Sequence, residues 1–312
     1  MDDGNAAQFS CAPVRTGVER PLRILVVTGG HRVDLDALLK MVAAVCADRG
    51  WVWAHAVQPG AQDWLRPGHV RAWDAVLCHD IPGLYLRRGE PPRAVGPAPD
   101  VARNLAQLLD AGQGLVLTHH ALAGWPGWPG WAEALGGRFL YAPGEVRGRH
   151  LPSSGYRHDS YRVQVAAPEH PVCAGVPSFT VTDELYSCPV FADDVVPLLR
   201  TDADLSPERM TSTYEQVLAG ENRPLDVAGP SASALVGWAT VAGRSPVAYL
   251  LPGDSGATFR LPPYRRLIAN ALEWVASDDA HRWARGRRRP VDTAVPDDAQ
   301  VARDAAQTGV RS

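Results

Sequence analysis

The feature that most constrains this chain is its first apolar run, Leu22-Arg-Ile-Leu-Val-Val-Thr28, which stops at Gly29-Gly30. A short β-branched run ending in paired glycines is the pattern of a strand buried on both faces that opens into a loop. Such a strand needs parallel neighbours and helices to cover it, and the next hundred residues supply both. Asp34 or Asp36 can cap a helix whose apolar positions Leu38, Leu39, Val42 and Val45 recur at helical spacing, and Gly50 ends it. Trp51–Val57 and Asp74–His79 read as the second and third strands. A Pro/Gly/Arg-rich loop from Ile81 to Pro99 precedes a helix around Val101–Ala111, and Gly112 and Gly114 mark the turn into a fourth strand, Leu115–Thr118. The alternation predicts an α/β fold: a flavodoxin-like, doubly wound, mostly parallel sheet with helices on both faces and right-handed crossovers.

The second half is less regular. Tyr161–Val165 and Phe179–Val181 alternate as strands do, with Glu169-His-Pro-Val172 as a turn between them. Thr201 to Pro230 is polar and reads as a long excursion or a flexible flap. Leu235–Trp238 and Val247–Leu251 are apolar strands joined by a hairpin-like Gly243-Arg244-Ser245-Pro246, and a helix runs from about Pro262 to Ala276. The expected organisation is a flexible tail over 1–20, one domain over 21–277 and a solvated tail over 278–312, whose arginines are offset by nearby aspartates.

Composition removes several classes of function. A net charge of −3 leaves no basic excess, so no nucleic-acid partner is expected. No apolar run approaches the roughly 20 residues that span a bilayer, so no membrane partner is expected either. Met1–Arg20 carries Asp2 and Asp3 and lacks the cationic-then-apolar order of a signal peptide. The five cysteines are odd in number, irregular in spacing and without CxxC, which supports neither a disulfide framework nor a zinc ribbon and points to the reducing cytoplasm. A homo-oligomer is compatible with all of this.

In open parallel sheets ligands bind outside the carboxyl ends of the strands. Those ends carry Gly29-Gly30-His31, His79-Asp80 and Thr118-His119-His120, so four of the ten histidines fall at three strand ends. Histidine suits such a place because its neutral ring accepts a proton or binds a metal near physiological pH. Gly30 allows either an anion's approach or simply a turn, but the sequence is no GxGxxG and no nicotinamide cofactor is expected. Asp183-Glu184-Leu185-Tyr186 sets two carboxylates beside a tyrosine, and side chains alternate across a strand, so one of Asp183 and Glu184 at most would face a given pocket. Trp125, Trp128 and Trp131 lie in a Pro/Gly-rich loop, where exposed faces would stack on a sugar and buried ones would fill the core.

Together, Leu-Val-Val-Thr-Gly-Gly-His31, Gly114-Leu-Val-Leu-Thr-His-His120, Glu169-His-Pro-Val172, Asp183-Glu-Leu-Tyr186 and Asn270-Ala-Leu-Glu-Trp274 occur in an order that resembles the ThuA-like (trehalose utilisation) proteins. The resemblance covers Leu22 to Ser277 and implies a fold of the class I glutamine amidotransferase type and a link to carbohydrate metabolism. Two departures follow. That superfamily carries a cysteine nucleophile on the turn after the strand ending here at Thr118, whereas this chain has His119-His120, so thioester glutaminase chemistry is not expected. ThuA-like chains often show Gly-His after the last core strand, and here Pro252-Gly253-Asp254 stands there, offering an oxygen ligand or base instead. The resulting expectation is acid–base or metal-assisted chemistry on a sugar or sugar-derived molecule. Its catalytic groups would be His31, His119, His120, Asp183 and Glu184. Gly30, His79, Asp80, Trp125, Trp128, Tyr186 and Asp254 would bind the ligand, with a divalent metal open. The alternative is a sugar-binding or regulatory module without catalysis.

Overall fold

The computed structural model describes residues 20–70, 72–225 and 233–296. The expected tail over 1–20 therefore lies, but for Arg20, outside the described residues. Strand β1, Arg23–Gly29, has its interior Ile24–Val27 fully buried, as its composition demands. Helix α1, Leu35–Arg49, is capped by Asp34, whose carboxylate accepts from Ala37 N at 3.1 Å, and Gly50 closes it in the left-handed region at φ 66°. Then come β2 (Val52–Val57), β3 (Ala75–Asp80), a two-residue ribbon of β4 (Leu84–Tyr85) and β5 (Arg93–Ala94), α2 (Pro99–Asp110), β6 (Leu115–Thr118) and α3 (Pro129–Leu135). A small hairpin of β7 (Gly144–Val146) and β8 (Arg149–Leu151) precedes β9 (Gly155–Val165), β10 (Phe179–Ser187) and β11 (Val196–Arg200). The chain closes with β12 (Thr211–Ser212), α4 (Thr213–Leu218), β13 (Leu235–Ala242), β14 (Ser245–Leu250), α5 (Pro262–Val275) and α6 (Asp278–Arg285).

The main sheet runs β10-β9-β11-β13-β14-β6-β3-β1-β2. Its half β14-β6-β3-β1-β2 is parallel throughout, which is the flavodoxin-like strand order. From β13 outward the pairing is antiparallel. Helix α5 lies across β3, β6 and β14 and against α1. Register places Gly29 beside Asp80 and Thr118 beside Leu250, so the strand ends singled out in the sequence share one rim.

Strand β9 touches β11 only through Gln164 and Val165, and its earlier residues pair with β10. That ribbon carries Asp183–Tyr186 to the loop after β14, where Asp183 bonds Gly253 N. Both strands are longer than their alternating segments, because they pair with each other along their length and Leu185 and Tyr186 at the far end also pack into the core.

Two expectations are revised. The polar stretch from Thr201 is no flap over its described part, since Met210, Thr213 and Leu225 are buried and α4 is capped by Ser212; residues 226–230 lie outside the described residues. The solvated tail from 278 begins instead as helix α6, with Ala280 and Ala284 buried and Ser277 as its cap. Beyond it Gly243 and Arg289 exchange backbone hydrogen bonds of 2.6 and 3.0 Å, and the Asp292 carbonyl accepts from Trp128 Nε1 at 2.8 Å. The short helix is polar overall, and a narrow apolar face of Ala280, Trp283 and Ala284 suffices to seat it. A chain ending at Ser277 should therefore melt about 5–10 °C lower, the effect of losing roughly 2–4 kcal/mol in a domain of this size. An unchanged thermal midpoint would restore the solvated-tail reading.

Candidate functional site

Strand β6 delivers the chain into a sharp turn. His119 follows Thr118 at φ 45°, a left-handed conformation that a residue with a Cβ adopts at a cost of order 1–3 kcal/mol. Three contacts hold it there. Its carbonyl accepts from Tyr249 Oη at 2.9 Å, and its Nδ1 donates to the Leu251 carbonyl at 2.7 Å. Its Nε2 faces Tyr186 Oη at 2.7 Å and Glu184 Oε2 at 3.4 Å. Asp254, in the loop after β14, brings Oδ1 to 3.9 Å from His119 Nε2 and 3.7 Å from His120 Nε2. The ligating atoms of His119, His120, Glu184 and Asp254 all lie within 4.8 Å of one another.

Burial and mutual charge set the character of these groups. Burial disfavours a charged His119 ring, but the hydrogen bond accepted by Glu184 and the charges of Glu184, Asp183 and Asp254 outweigh it and raise its pKa above the usual value. Burial likewise pushes Glu184 up, yet His119 holds it below the ordinary carboxylate range. Asp254 goes the other way: burial, with Glu184 and Asp183 adding, raises it against the opposing pull of His119. His120 is driven well below its usual value by burial and by the neighbouring histidines, so it stays neutral. Two neutral-capable imidazoles and two carboxylates form a donor set that suits zinc or a similar divalent cation, around which donors at about 2.0–2.1 Å stand roughly 3–4 Å apart. The Leu251 carbonyl that fixes the His119 tautomer is the outer partner such a ligand needs.

His79 and His31 flank the group. Thr118 Oγ1 donates to the Cys78 carbonyl at 3.2 Å and so accepts from His79 Nδ1 at 2.8 Å. That leaves His79 Nε2 an acceptor, buried without a hydrogen-bond partner among the described residues, on a ring edge-on to His120 at 5.7 Å. Burial lowers the His79 pKa to about 3. His31 is exposed, with its ring 4.1 Å from that of His120.

The family model described as "ThuA: Trehalose utilisation" matches residues 23–275. The chain belongs to the ThuA family. Two solved ThuA-like proteins share the fold. One, from Bacteroides uniformis, has TM-score 0.57 and 17% identity over 88% of this chain and 96% of that one. The other, from Parabacteroides merdae, has TM-score 0.58 and 15% identity over 83% and 91%. No curated protein sequence matches the chain.

Within this ThuA fold the residues singled out from sequence separate. His31, His79, His119, His120, Glu184, Tyr186 and Asp254 come together. Asp183 does not join them as an acid or base, because it is fully buried and both its oxygens are taken by donors of the loop after β14. Trp125 and Trp128 offer no stacking face: both are buried, and Trp128 stacks on Trp131 at 5.8 Å. The Pro/Gly loop keeps them inside the core, the alternative its composition had left open. Gly30 serves a close approach, since a Cβ there would stand 2.1 Å from the Ile81 carbonyl oxygen. Asp80 is turned to Gln58, whose Nε2 donates to it at 2.8 Å.

Sequence reasoning missed Tyr249, Tyr264 and Thr258, which hold the turn and the loop through hydrogen bonds; each sits in an apolar or helical run with no signal of its own.

Burial raises the Asp80 carboxyl to about 7, with Gln58 pulling the other way. An acid raised in the fold binds more protons folded than unfolded, so its stabilising contribution is complete below about pH 4 and is lost as pH rises through 7. Asp80→Asn should be more stable than the parent at pH 8 by on the order of 3 kcal/mol, with the gap closing towards pH 4. Urea titrations at both pH values check this, and a pH-independent difference would contradict it.

Proposed function

We propose that this site binds a sugar or sugar-derived molecule and acts on it with the help of a divalent cation held by His119, His120, Glu184 and Asp254. One observation carries the proposal: four donor atoms from three separate segments lie within 4.8 Å, beside an exposed histidine. The description of the family model supports the sugar class. A bound cation would polarise a ligand oxygen as a Lewis acid. The chain's own groups would orient and exchange protons around it. Burial keeps Tyr186 protonated well past its ordinary range, so its hydroxyl is a donor. His31, open to solvent, can relay a proton to water. His79 Nε2 can accept from a ligand hydroxyl.

Cysteine chemistry has no support in this reading. Burial raises the Cys188 thiol to about 12 and the Cys78 thiol well above its usual value, so neither supplies a thiolate at neutral pH.

A second reading is a binding module without catalysis. It is favoured by the two ring nitrogens of His119, one bonded to the Leu251 carbonyl and the other to Tyr186, so that both are engaged within the protein. Elemental analysis of the purified protein should find close to one divalent cation per chain, and His120→Ala or Asp254→Asn should weaken its binding by at least about tenfold. Full turnover by chelator-stripped protein would remove the metal from the reaction. Thermal shift against neutral and oxidised sugars, followed by product analysis, separates the readings: stabilisation without product leaves the binder.

A further inference from the structure

Asp183 is a carboxylate with every acceptor site in use. Oδ2 accepts from Gly253 N at 2.9 Å and from Thr258 Oγ1 at 2.5 Å. Oδ1 accepts from Asp254 N at 3.1 Å, Ser255 N at 3.0 Å and its own neighbour Glu184 N at 2.8 Å. The side chain is fully buried, and among the described residues no arginine or lysine forms an ion pair with it. Its charge is balanced by backbone dipoles that converge on it, as on an anion held in a nest of N–H groups.

Tyr264 Oη holds the start of the loop at the Pro252 carbonyl, and Ser255 holds its far side, but the N–H groups between them have Asp183 as their partner. Gly253 sits at φ 140°, where a side chain is strained, and a Cβ there would stand 2.7 Å from Tyr264 Oη. Gly256 lies against the Asp34 carboxylate, where a Cβ would come within 2.3 Å. Three consecutive N–H groups, from Gly253 to Ser255, are turned inward, and Asp183 is what they turn to. One of its oxygens bonds the backbone N–H of Glu184 and that of Asp254, the two carboxylate residues of the site.

We infer that Asp183 is a positioning residue: it fixes the separation of Glu184 and Asp254, so that the dipeptide Asp183-Glu184 sets both site carboxylates, one as its own side chain and one by holding the loop that bears it. The metal part of the test rests on the reading above, and the positional part does not.

The experiment compares the parent, Asp183→Asn, Thr258→Val, Asp254→Asn and the Asp183→Asn/Asp254→Asn pair, all as full chains. Hydrogen exchange of the Gly253, Asp254 and Ser255 amides reads the position, and zinc titration of chelator-stripped protein reads the site. An amide at 183 would present its NH2 to inward-pointing N–H groups. Asp183→Asn should therefore lose protection at all three amides and weaken zinc about 10- to 100-fold, as outer partners of metal ligands do. The double variant should bind zinc no worse than Asp254→Asn alone, because both changes remove the same ligand. Multiplying losses in the double variant, or unchanged amide protection in Asp183→Asn, would overturn the inference. If Asp183→Asn fails to fold, Thr258→Val removes one donor without changing shape, and it should raise exchange at the same amides; normal protection there overturns the inference equally. A parent chain that takes up no zinc defeats the metal reading alone, and the amide exchange then decides the role of Asp183.

Discussion

The parallel ladder between β6 and β14 is the constraint on which the rest depends. It seats Thr118 beside Leu250, so the turn through His119 and the loop through Asp254 leave the sheet side by side. From that placement the Leu251 carbonyl meets His119 Nδ1, and Tyr249, one residue before the end of β14, reaches the His119 carbonyl. A slip of one residue in this ladder would turn every side chain to the other face and break both contacts. Register is held because both strands are buried on both sides.

Placing three carboxylates and the buried histidines His79, His119 and His120 at this rim is costly, because an uncompensated buried charge is expensive. The structure compensates each by a different device. Asp183 is surrounded by N–H groups, Glu184 faces His119, and His79 and His120 remain neutral. Asp254 is the least compensated, which is why its pKa is raised and why a cation beside it is chemically apt. The strained turn at His119 belongs to the same pattern, a local cost borne by the firmly packed sheet.

Much of this was legible in the chain. Buried parallel strands announce themselves by unbroken β-branched runs, and the rule that ligands gather at their carboxyl ends was enough to pick out His31, His79, His119 and His120. The ThuA-like order of motifs added Glu184 and Tyr186, and the departure from it at Pro252-Gly253-Asp254 added Asp254. The tryptophan loop was not legible, since a Pro/Gly-rich segment can bury or expose its rings and only the surrounding core decides. Helix α6 was missed because its apolar face is only Ala280, Trp283 and Ala284 in an otherwise charged segment, so its periodicity is masked by its overall polarity.

By itself the sequence determined the parallel half of the sheet, the shared rim of its strand ends and the absence of a cysteine at the turn after β6, because these are set by local pattern and chain order. Tertiary structure alone decided that Asp183 and Glu184 have different work. Two adjacent strand residues point to opposite sides, and which side is site and which is support depends on where the β9–β10 ribbon lands against the loop after β14, a contact between segments some seventy residues apart.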